Sequence, residues 1–277
     1  MSIFQSFLLG ILQGLTEFIP VSSTAHLLVA QSLLRINETN FPQIFQYLVL
    51  IEIGTLLGLI VYMWKDLVKI FREMLVAISH GKPFETFDAR LGWYLILAAI
   101  PAAVFGLVFR KGVESFYLLF PNYEASIRFF ITATLLFLVE RFGRKSRKLE
   151  SINGVDALWI GFFQILAIFP GSSRSGSTIS GGMIRGLDRP AAARFAFLLA
   201  VPTLLGAGLV EALDLSTATN LVSVLPQFIV GFIVAAIVGW LAIRWLLNFL
   251  AHRSLYIFSV YCLVAGILVL ILSFQLR

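Results

Sequence analysis

The chain contains six apolar stretches of the kind that cross a bilayer as helices, and they constrain its fold more than any other feature. A transmembrane helix needs about 20 predominantly apolar residues. The six stretches are Ile44–Trp64, Leu91–Phe109, Phe129–Val139 with its flanks, Ala191–Val210, Pro226–Leu247 and Leu255–Phe274. Because 59% of the 277 residues are hydrophobic and only 13% are charged, a water-soluble fold could not cover its surface with polar side chains. The pattern predicts an all-α polytopic integral membrane protein and excludes a soluble enzyme, a disordered chain and a nucleic-acid-binding domain.

Two further apolar regions, Phe4–Leu34 and Ala157–Ile184, are interrupted at their centres by polar and helix-breaking residues. The interruptions read Glu17-Phe18-Ile19-Pro20-Val21-Ser22-Ser23-Thr24-Ala25-His26 and Pro170-Gly171-Ser172-Ser173-Arg174-Ser175-Gly176-Ser177-Thr178. Irregular backbone at membrane depth is tolerated only where protein or a wet cavity satisfies its polar groups. Each region is therefore predicted to form a re-entrant helical hairpin, in which two short helices meet at a polar hinge.

The two broken regions also resemble each other, which indicates an internal duplication. Each proline is followed by one small residue and then by two serines, and the stretch Thr55-Leu56-Leu57-Gly58 recurs as Thr203-Leu204-Leu205-Gly206. We interpret the chain as a single membrane domain, residues 1–277, whose first repeat covers 1–140 and whose second repeat covers 150–277.

Loop charge predicts the orientation of the two repeats. Basic residues concentrate in the connection 65–90, after Arg141 and in the turn 185–194, and cytoplasmic loops carry the excess of Lys and Arg. This assignment puts both termini outside and three full spans in each repeat, so the second repeat is inverted. The two hinges then enter from opposite sides and meet near the midplane, as in many transporters. The connection 65–90 is interpreted as an ordinary solvated loop.

The second hinge has the residue types of a phosphate-binding turn. Arg174 offers a planar fork of donors that matches phosphate oxygens, and Gly171 and Gly176 allow backbone N–H groups to approach an anion. A helix that restarts here would add a partial positive charge at its N-terminus. The predicted phosphate-binding residues are Ser22, Thr24, Ser172, Ser173, Arg174, Ser175, Gly176 and Thr178.

The first hinge supplies complementary chemistry. Gln13 and Glu17 are four residues apart and share one face of a helix, where their oxygen atoms could hold a hard divalent cation. Glu17 could instead act as a general base. Ser23 or Ser22 is a candidate nucleophile, and His26 is close enough in sequence to exchange its proton. The predicted catalytic residues are Glu17, Ser23, His26 and Arg174.

Other interpretations of the same residues stay open at this point. An ionisable residue at the centre of a span costs about 2.5–3.5 kcal/mol on insertion scales, and Glu17, His26 and Arg174 could pair only to lock the hairpins together. Inverted repeats with broken helices are equally typical of a membrane transporter, such as a lipid flippase or an anion-coupled carrier. A potential nucleophile next to a base favours an enzyme, because binding alone requires neither.

Both hinges resemble the signatures of the undecaprenyl-diphosphate phosphatase family, the bacitracin-resistance membrane phosphatases. The segment from Gln13 to His26 resembles the first signature, and the segment from Pro170 to Thr178 resembles the second. The resemblance extends over essentially the whole chain. Two positions depart from it, because Gln13 stands where many members carry Glu and Ala25 stands where Gly commonly precedes the histidine.

The resemblance implies removal of the terminal phosphate from a C55 polyprenyl diphosphate, which recycles the lipid carrier of peptidoglycan synthesis and confers bacitracin resistance. It implies a divalent cation, Mg²⁺ or Ca²⁺, near Gln13 and Glu17, with Ser23 as the proposed nucleophile, His26 handling protons and Arg174 binding phosphate. It also implies a multi-pass protein of the bacterial cytoplasmic (inner) membrane with an active site open to the outer face. The expected partners are the lipid substrate, membrane lipid and a second copy in a homodimer, and no nucleic acid.

Overall fold

A computed structural model of the protein describes residues 1–37, 39, 41, 43–118, 123–168, 172–215 and 224–275. Within these residues the chain is helical and forms no strand beyond one isolated bridge between Arg147 and Leu187. The helices are α1 (Ile3–Phe18), α2 (Ser23–Leu33), α3 (Ile44–Tyr62), α4 (Trp64–Ser79), α5 (Phe87–Leu118), α6 (Glu124–Phe142), α7 (Gly154–Ile168), α8 (Arg174–Ile184), α9 (Arg189–Leu215), α10 (Leu225–His252) and α11 (Tyr256–Gln275). A 3₁₀ turn, Leu149–Ser151, precedes α7.

Five of these helices are long and apolar enough to cross a membrane, namely α3, α5, α9, α10 and α11. They coincide with five of the six predicted stretches, so the polytopic membrane assignment is confirmed. The sixth stretch lies in α6, which has 19 residues but carries charged side chains near both ends, among them Glu124, Arg128, Glu140 and Arg141. The crossing of the membrane by α6 therefore stays a prediction.

The first broken region folds back on itself as a pair of short helices. A capping box, in which Ser2 and Gln5 exchange side-chain and backbone hydrogen bonds, starts α1. The helix ends at Phe18, ahead of Pro20, because the residue before a proline avoids the helical conformation. Gln5 Nε2 donates to the carbonyl oxygen of Leu34 at 3.2 Å, which places the end of α2 beside the start of α1.

The second broken region has the same shape. Arg185, at the end of α8, donates from Nε to Oδ1 of Asp156 in the first turn of α7 at 2.7 Å. Asp156 is fully buried and also accepts from Arg147. The turn of this hairpin includes Phe169, Pro170 and Gly171, which lie outside the described residues.

Helix α10 packs against both α1 and α3 and provides a reference for depth. Gly10 lies against Gly231, and the ring of Phe18 lies against Gly239. Gly239 is close to the middle of the 28-residue helix. The turn of the first hairpin therefore lies about halfway along α10.

The connection 65–90 is not the solvated loop that its charge suggests. It contains α4, whose buried residues Ile70 and Ala77 face the protein, and whose Met74 lies against Gly92 of α5. Charged residues at the intervening positions interrupt the apolar run, but the apolar residues keep a helical spacing. The prediction of an ordinary solvated connection was therefore wrong for residues 65–79, which belong to α4.

Candidate functional site

The two hinges are in contact through an ion pair. Glu17 lies in the last turn of α1, and its Oε1 accepts a hydrogen bond from Nη2 of Arg174, the first residue of α8. The Glu17 residue is only 7% exposed, whereas the Arg174 side chain is 19% exposed. No acceptor in the described part of the chain bonds Nε or Nη1 of Arg174. The guanidinium therefore keeps donors for an anionic ligand while it neutralises the buried carboxylate.

The second carboxylate oxygen of Glu17 accepts hydrogen bonds from two further side chains. Ser23 Oγ donates to Oε2 at 2.8 Å, and Gln13 Nε2 donates to the same atom at 3.0 Å. Gln13 reaches Glu17 because residues four apart lie on one helix face. The structure thus brings together Gln13, Glu17, Ser23 and Arg174, from both hinges, around a single carboxylate.

His26 is turned away from this carboxylate. Its Nδ1 lies 2.8 Å from the carbonyl oxygen of Ser22, and its Nε2 lies 2.7 Å from Oη of Tyr261 in α11. A carbonyl oxygen can only accept, so Nδ1 carries the hydrogen, and in the neutral ring Nε2 accepts from the tyrosine hydroxyl. The imidazole is stacked on the Tyr261 ring at a centroid distance of 5.7 Å and meets the Phe129 ring edge-on at 4.9 Å. The base nearest Ser23 is consequently Glu17, and His26 has no hydrogen bond to that serine.

Two helix N-termini meet at the hinges. Helix α2 begins at Ser23 after Ser22, which has a φ of 71° and makes no capping hydrogen bond with its side chain. Within the described residues, the backbone amides of Ser23 and Thr24 have no hydrogen-bond acceptor. Ser175 Oγ in the first turn of α8 lies 3.5 Å from the carbonyl oxygen of Ile19, so the second N-terminus is adjacent. The free amides of Ser23 and Thr24 and the partial positive charge of the α2 N-terminus favour an anion at this point.

The hydroxyl groups of the second hinge mainly hold the hinge itself. Ser173 caps α8 by accepting from the amide of Gly176 at 3.1 Å, and its own amide donates to Thr132 Oγ1 in α6 at 3.1 Å. Ser172 Oγ donates to the carbonyl oxygen of Leu166 at 3.0 Å and also bonds the Ser177 hydroxyl. These contacts fix the turn that presents Arg174.

The remaining predicted phosphate ligands differ in accessibility. Thr178 is buried, and its hydroxyl donates to the carbonyl oxygen of Arg174 at 2.9 Å. Ser22 and Ser175 are also buried, while Thr24 is exposed. Arg174, Thr24 and the backbone amides of the α2 N-terminus are therefore the most accessible candidates, and the roles of the others stay predictions.

A cation could be held at this site only with help from a ligand. Among the described residues there is no group of three His, Cys, Asp or Glu side chains that could hold a metal ion. The available oxygen donors are those of Glu17, Gln13 and Ser23. Mg²⁺ is commonly bound by one or two carboxylates together with substrate phosphates, so this donor set fits a cation that is shared with a phosphate ligand.

Sequence reasoning did not identify Tyr261, Phe129 and Thr132 as neighbours of the hinges. Tyr261 is 48% exposed, and a single tyrosine in an apolar run has the pattern of an ordinary lipid-facing side chain. Thr132 and Phe129 are four and one residue from the charged Arg128 on α6, but nothing in their spacing connects them to either hinge. The only feature of the sequence that could have identified these three residues is that each is a polar or aromatic residue in a largely apolar helix.

Comparison with known proteins identifies the family of this chain. The family model described as bacitracin resistance protein BacA matches residues 6–268. Proteins named undecaprenyl-diphosphatase are similar over nearly their whole length. The one from Anaeromyxobacter dehalogenans is 40% identical over 287 residues, covering 99% of this chain and 93% of its own.

Two further relatives with the same name show that this level of similarity is general. The protein of Chlorobium phaeovibrioides is 38% identical over 283 residues, with 98% of this chain and 97% of its own covered. That of Thermomicrobium roseum is 38% identical over 280 residues, with 99% of both chains covered. This membrane protein, with its ion pair between two helical hinges, belongs to the bacitracin resistance protein BacA family.

Proposed function

We infer that this chain hydrolyses undecaprenyl diphosphate to undecaprenyl phosphate and inorganic phosphate. Its relatives are named for this activity and match it from end to end. The observation that carries the assignment to a site is the junction of Glu17 and Arg174, with Ser23 bonded to the same carboxylate. The reaction returns the lipid carrier to peptidoglycan synthesis and thereby confers bacitracin resistance. A transporter or a flippase of a polyprenyl phosphate lipid is not favoured, since the relatives carry the name of a phosphatase.

The proposal includes an arrangement in the membrane. The two hairpins are re-entrant, belong to inverted repeats, 1–140 and 150–277, and meet near the midplane with six full spans around them. Support comes from Phe18, which lies against the middle of α10, and from the opposite directions of the hairpins. The open end of the first hairpin is near the start of α1, and the open end of the second is near Asp156 and Arg147. The latter lies at the basic end of the bundle, by which we mean the end that carries the basic segments after Arg141 and in 185–194.

We place the protein in the bacterial cytoplasmic membrane with the basic end of the bundle inside. The first hinge then opens to the outer face, from which the diphosphate enters, and the isoprenoid tail lies in lipid between the spans. The exposure of Thr24 and Tyr261 supports such an entry, because Thr24 follows Ser23 and Tyr261 contacts His26 in the first hairpin. A homodimer remains part of the proposal.

Arg174 and the two helix N-termini neutralise the phosphate oxygens of the substrate. Charge neutralisation and positioning provide most of the catalysis of phosphoryl transfer. The free donors of Arg174 bind the terminal phosphate while Nη2 stays near Glu17. The ion pair keeps both side chains oriented before the substrate arrives.

Glu17 acts as the base in either of two routes. In the first, Ser23 Oγ bonds to the terminal phosphorus, the bridging P–O bond breaks with its electron pair going to undecaprenyl phosphate, and the serine proton passes to Glu17. Water then hydrolyses the phosphoserine and releases phosphate. In the second, Glu17 removes the proton from a water molecule that attacks the same phosphorus directly.

Gln13 and Glu17 would hold a divalent cation together with the diphosphate oxygens. Such an ion, Mg²⁺ or Ca²⁺, would supply charge stabilisation to the leaving phosphate. Gln13 currently presents its amide nitrogen to Glu17, and rotation of the amide would present its oxygen. With one carboxylate, the affinity for the ion should depend on bound substrate.

The test of this function is phosphate release by the purified protein from C55 polyprenyl diphosphate. We expect activity with Mg²⁺ or Ca²⁺ and its loss in EDTA. Glu17→Gln and Arg174→Ala should each lower turnover by roughly 100-fold or more, the scale for removing a charged group that stabilises a transition state. The exposed ion pair of Lys82 and Glu85, 3.1 Å apart, provides controls in Lys82→Gln and Glu85→Gln. Full activity in either hinge variant would reject the site.

A Ser23→Ala variant separates the two routes. If Ser23 is the nucleophile, turnover should fall about as far as in Glu17→Gln, and rapid quenching of the wild type should trap a phosphoserine. If water attacks directly, the variant loses only its hydrogen bond to Glu17, and a loss of roughly fivefold is expected, equivalent to about 1 kcal/mol. Ser79→Ala, at the exposed end of α4, is the control for the removal of a hydroxyl.

A further inference from the structure

Helix α4 carries an apolar stripe that is exposed to the surroundings of the protein. The stripe consists of Trp64, Val68, Phe71, Leu75 and Ile78, each 45–64% exposed. At about 100° per residue, these five side chains lie within an arc of roughly 80°. Within the described chain, the protein instead packs on the other side of α4, so the stripe is a separate face.

The contacts of α4 with α5 indicate how deep α4 lies in the membrane. Lys69 Nζ lies 2.7 Å from Oδ2 of Asp88, and Met74 lies against Gly92. The span in α5 begins at Phe87. With a rise of about 1.5 Å per residue, α4 crosses α5 within roughly 8 Å of the end of that span. The helix is therefore at the level of the membrane–water interface.

The charges of α4 are sorted around the helix. Lys65, Lys69 and Arg72 project at about 80–140° from the centre of the stripe, whereas Asp66 and Glu73 project at about 180–200°. Arg72 and Lys65 thus border the apolar stripe, whereas Lys69 and the two acidic side chains point away from it. An amphipathic helix with this arrangement lies in the interface with its apolar face among acyl chains and its basic flank at the headgroups.

A cavity lies at the N-terminal end of the same helix. It has a volume of about 630 Å³ and is lined by Tyr62, Trp64, Lys65, Asp66 and Arg194 together with apolar side chains. Arg194 Nη2 donates to Asp66 Oδ1 at 2.8 Å. That contact uses one nitrogen of the guanidinium, so the cavity presents a lysine and an arginine beside two aromatic rings.

We propose that α4 is a docking surface for anionic phospholipids in the leaflet at the basic end of the bundle, with one headgroup phosphate seated in this cavity between Lys65 and Arg194. Charge complementarity selects the occupant, because basic residues next to an interfacial helix attract anionic lipids. The stripe also continues the exposed apolar surface of α3 at Leu57 and Val61, with the same spacing of three and four residues. A surface continuous with a membrane span, at interface depth, faces lipid.

Lipid binding to the full-length protein tests the charge. Purified protein in detergent is mixed with phosphatidylglycerol or phosphatidylcholine, and bound lipids are counted by native mass spectrometry. The double variant Lys65→Gln/Arg72→Gln should bind phosphatidylglycerol more weakly by roughly fivefold for each removed charge. The matched control Lys82→Gln/Arg144→Gln removes two exposed basic residues outside α4 and should change binding little. Equal binding of both lipids, or equal losses in both variants, would overturn the proposal.

A spin label at position 71 tests where the stripe lies. Cys262 is the only cysteine and is fully buried, so the wild type provides the background for Phe71→Cys in vesicles of phosphatidylcholine and phosphatidylglycerol. The label should be accessible to oxygen and protected from a nickel chelate, and a label at Lys82→Cys should show the reverse. Access to the nickel chelate at position 71 would mean a solvated helix. Protection from both reagents would mean a protein contact, such as a second copy, and either result refutes lipid docking.

Discussion

At the scale of single residues, Glu17 and His26 have separate hydrogen-bond partners, although both can carry a proton. The Ser22 carbonyl fixes the hydrogen on Nδ1, and Tyr261 donates to Nε2. Glu17 is meanwhile bonded to Ser23. Glu17 is thus the group that lies within reach of the Ser23 proton, and His26 with Tyr261 lies at an exposed edge of the first hinge.

We predict that Tyr261→Phe lowers kcat by about fivefold with little change in KM, since a net hydrogen bond contributes about 1 kcal/mol. The phenyl ring keeps the stack on His26 but cannot donate to Nε2. Steady-state phosphate release measures the effect. Tyr256→Phe, five residues earlier in α11 and in contact with Phe137, is the matched control and should leave kcat unchanged.

The same variant has a spectroscopic signature that does not depend on activity. The chain has only 3 histidines, so ¹⁵N-histidine labelling gives few signals, with His80 and His252 as references. The Nε2 resonance of His26 should shift in Tyr261→Phe while Nδ1 stays protonated. An unchanged Nε2 signal and unchanged kcat would together show that Tyr261 does not position His26.

Only some of the hinge residues could be predicted from the sequence. The free energy of placing each side chain in an apolar segment explains which ones. Glu17, Ser23 and Arg174 interrupt apolar segments, where a polar group is expensive, so each stands out, and the structure gathers them. Their roles in the reaction remain predictions. Tyr261 and Thr132 cost little in a span and contact hinges 235 and 41 residues away. A local sequence pattern cannot predict contacts between residues so far apart in the chain.

At the scale of helices, composition predicted spans well and amphipathic helices poorly. Long apolar runs fix α3, α9, α10 and α11, because only a helix satisfies the backbone in lipid. Helix α4 has a mixed sequence, and its apolar residues divide between a face that packs on α5 and a stripe that is exposed. A single hydropathy average cannot separate these two faces, which is why the segment was predicted as a loop.

The repeated stretch Thr-Leu-Leu-Gly provides a matched pair of helix positions. A Cβ at Gly58 would lie 2.3 Å from the Ala236 carbonyl oxygen of α10, whereas a Cβ at Gly206 would meet nothing within 4 Å. We predict that Gly58→Ala destabilises the protein by about 1–3 kcal/mol, because overpacking forces the backbone apart. Gly206→Ala should be neutral or stabilising by about 0.5–1 kcal/mol through helix propensity.

Thermal unfolding of both glycine variants in detergent, followed by circular dichroism or differential scanning fluorimetry, measures the difference. Gly58→Ala should unfold at a lower temperature than the wild type, and Gly206→Ala should not. Equal shifts in the two variants would mean that the close approach of α3 to α10 does not limit stability at this position.

At the scale of the whole molecule, the hairpins give the site its two contributions of opposite charge. The first hairpin brings the carboxylate of Glu17, and the second brings the guanidinium of Arg174. Buried ion pairs anchor the basic end, where Glu140 binds Lys145 at 2.9 Å and also Arg189. The inverted arrangement of the two hairpins stays a prediction from sequence symmetry. The contacts at the basic end could not be predicted from it, because Glu140 bonds Arg189, 49 positions away, and Leu255, 115 positions away.

The orientation of the bundle yields a prediction from charge alone. Thr39 follows the end of α2 and is exposed, and Lys82 lies in the basic connection between α4 and α5. If the basic loops stay inside, Thr39→Cys should react with a membrane-impermeant maleimide in intact spheroplasts, and Lys82→Cys only in inverted vesicles. The wild type, whose one cysteine is buried, sets the background. Labelling of both positions from one side of the membrane would contradict the inverted arrangement, because the two hinges could then not approach the substrate from opposite faces.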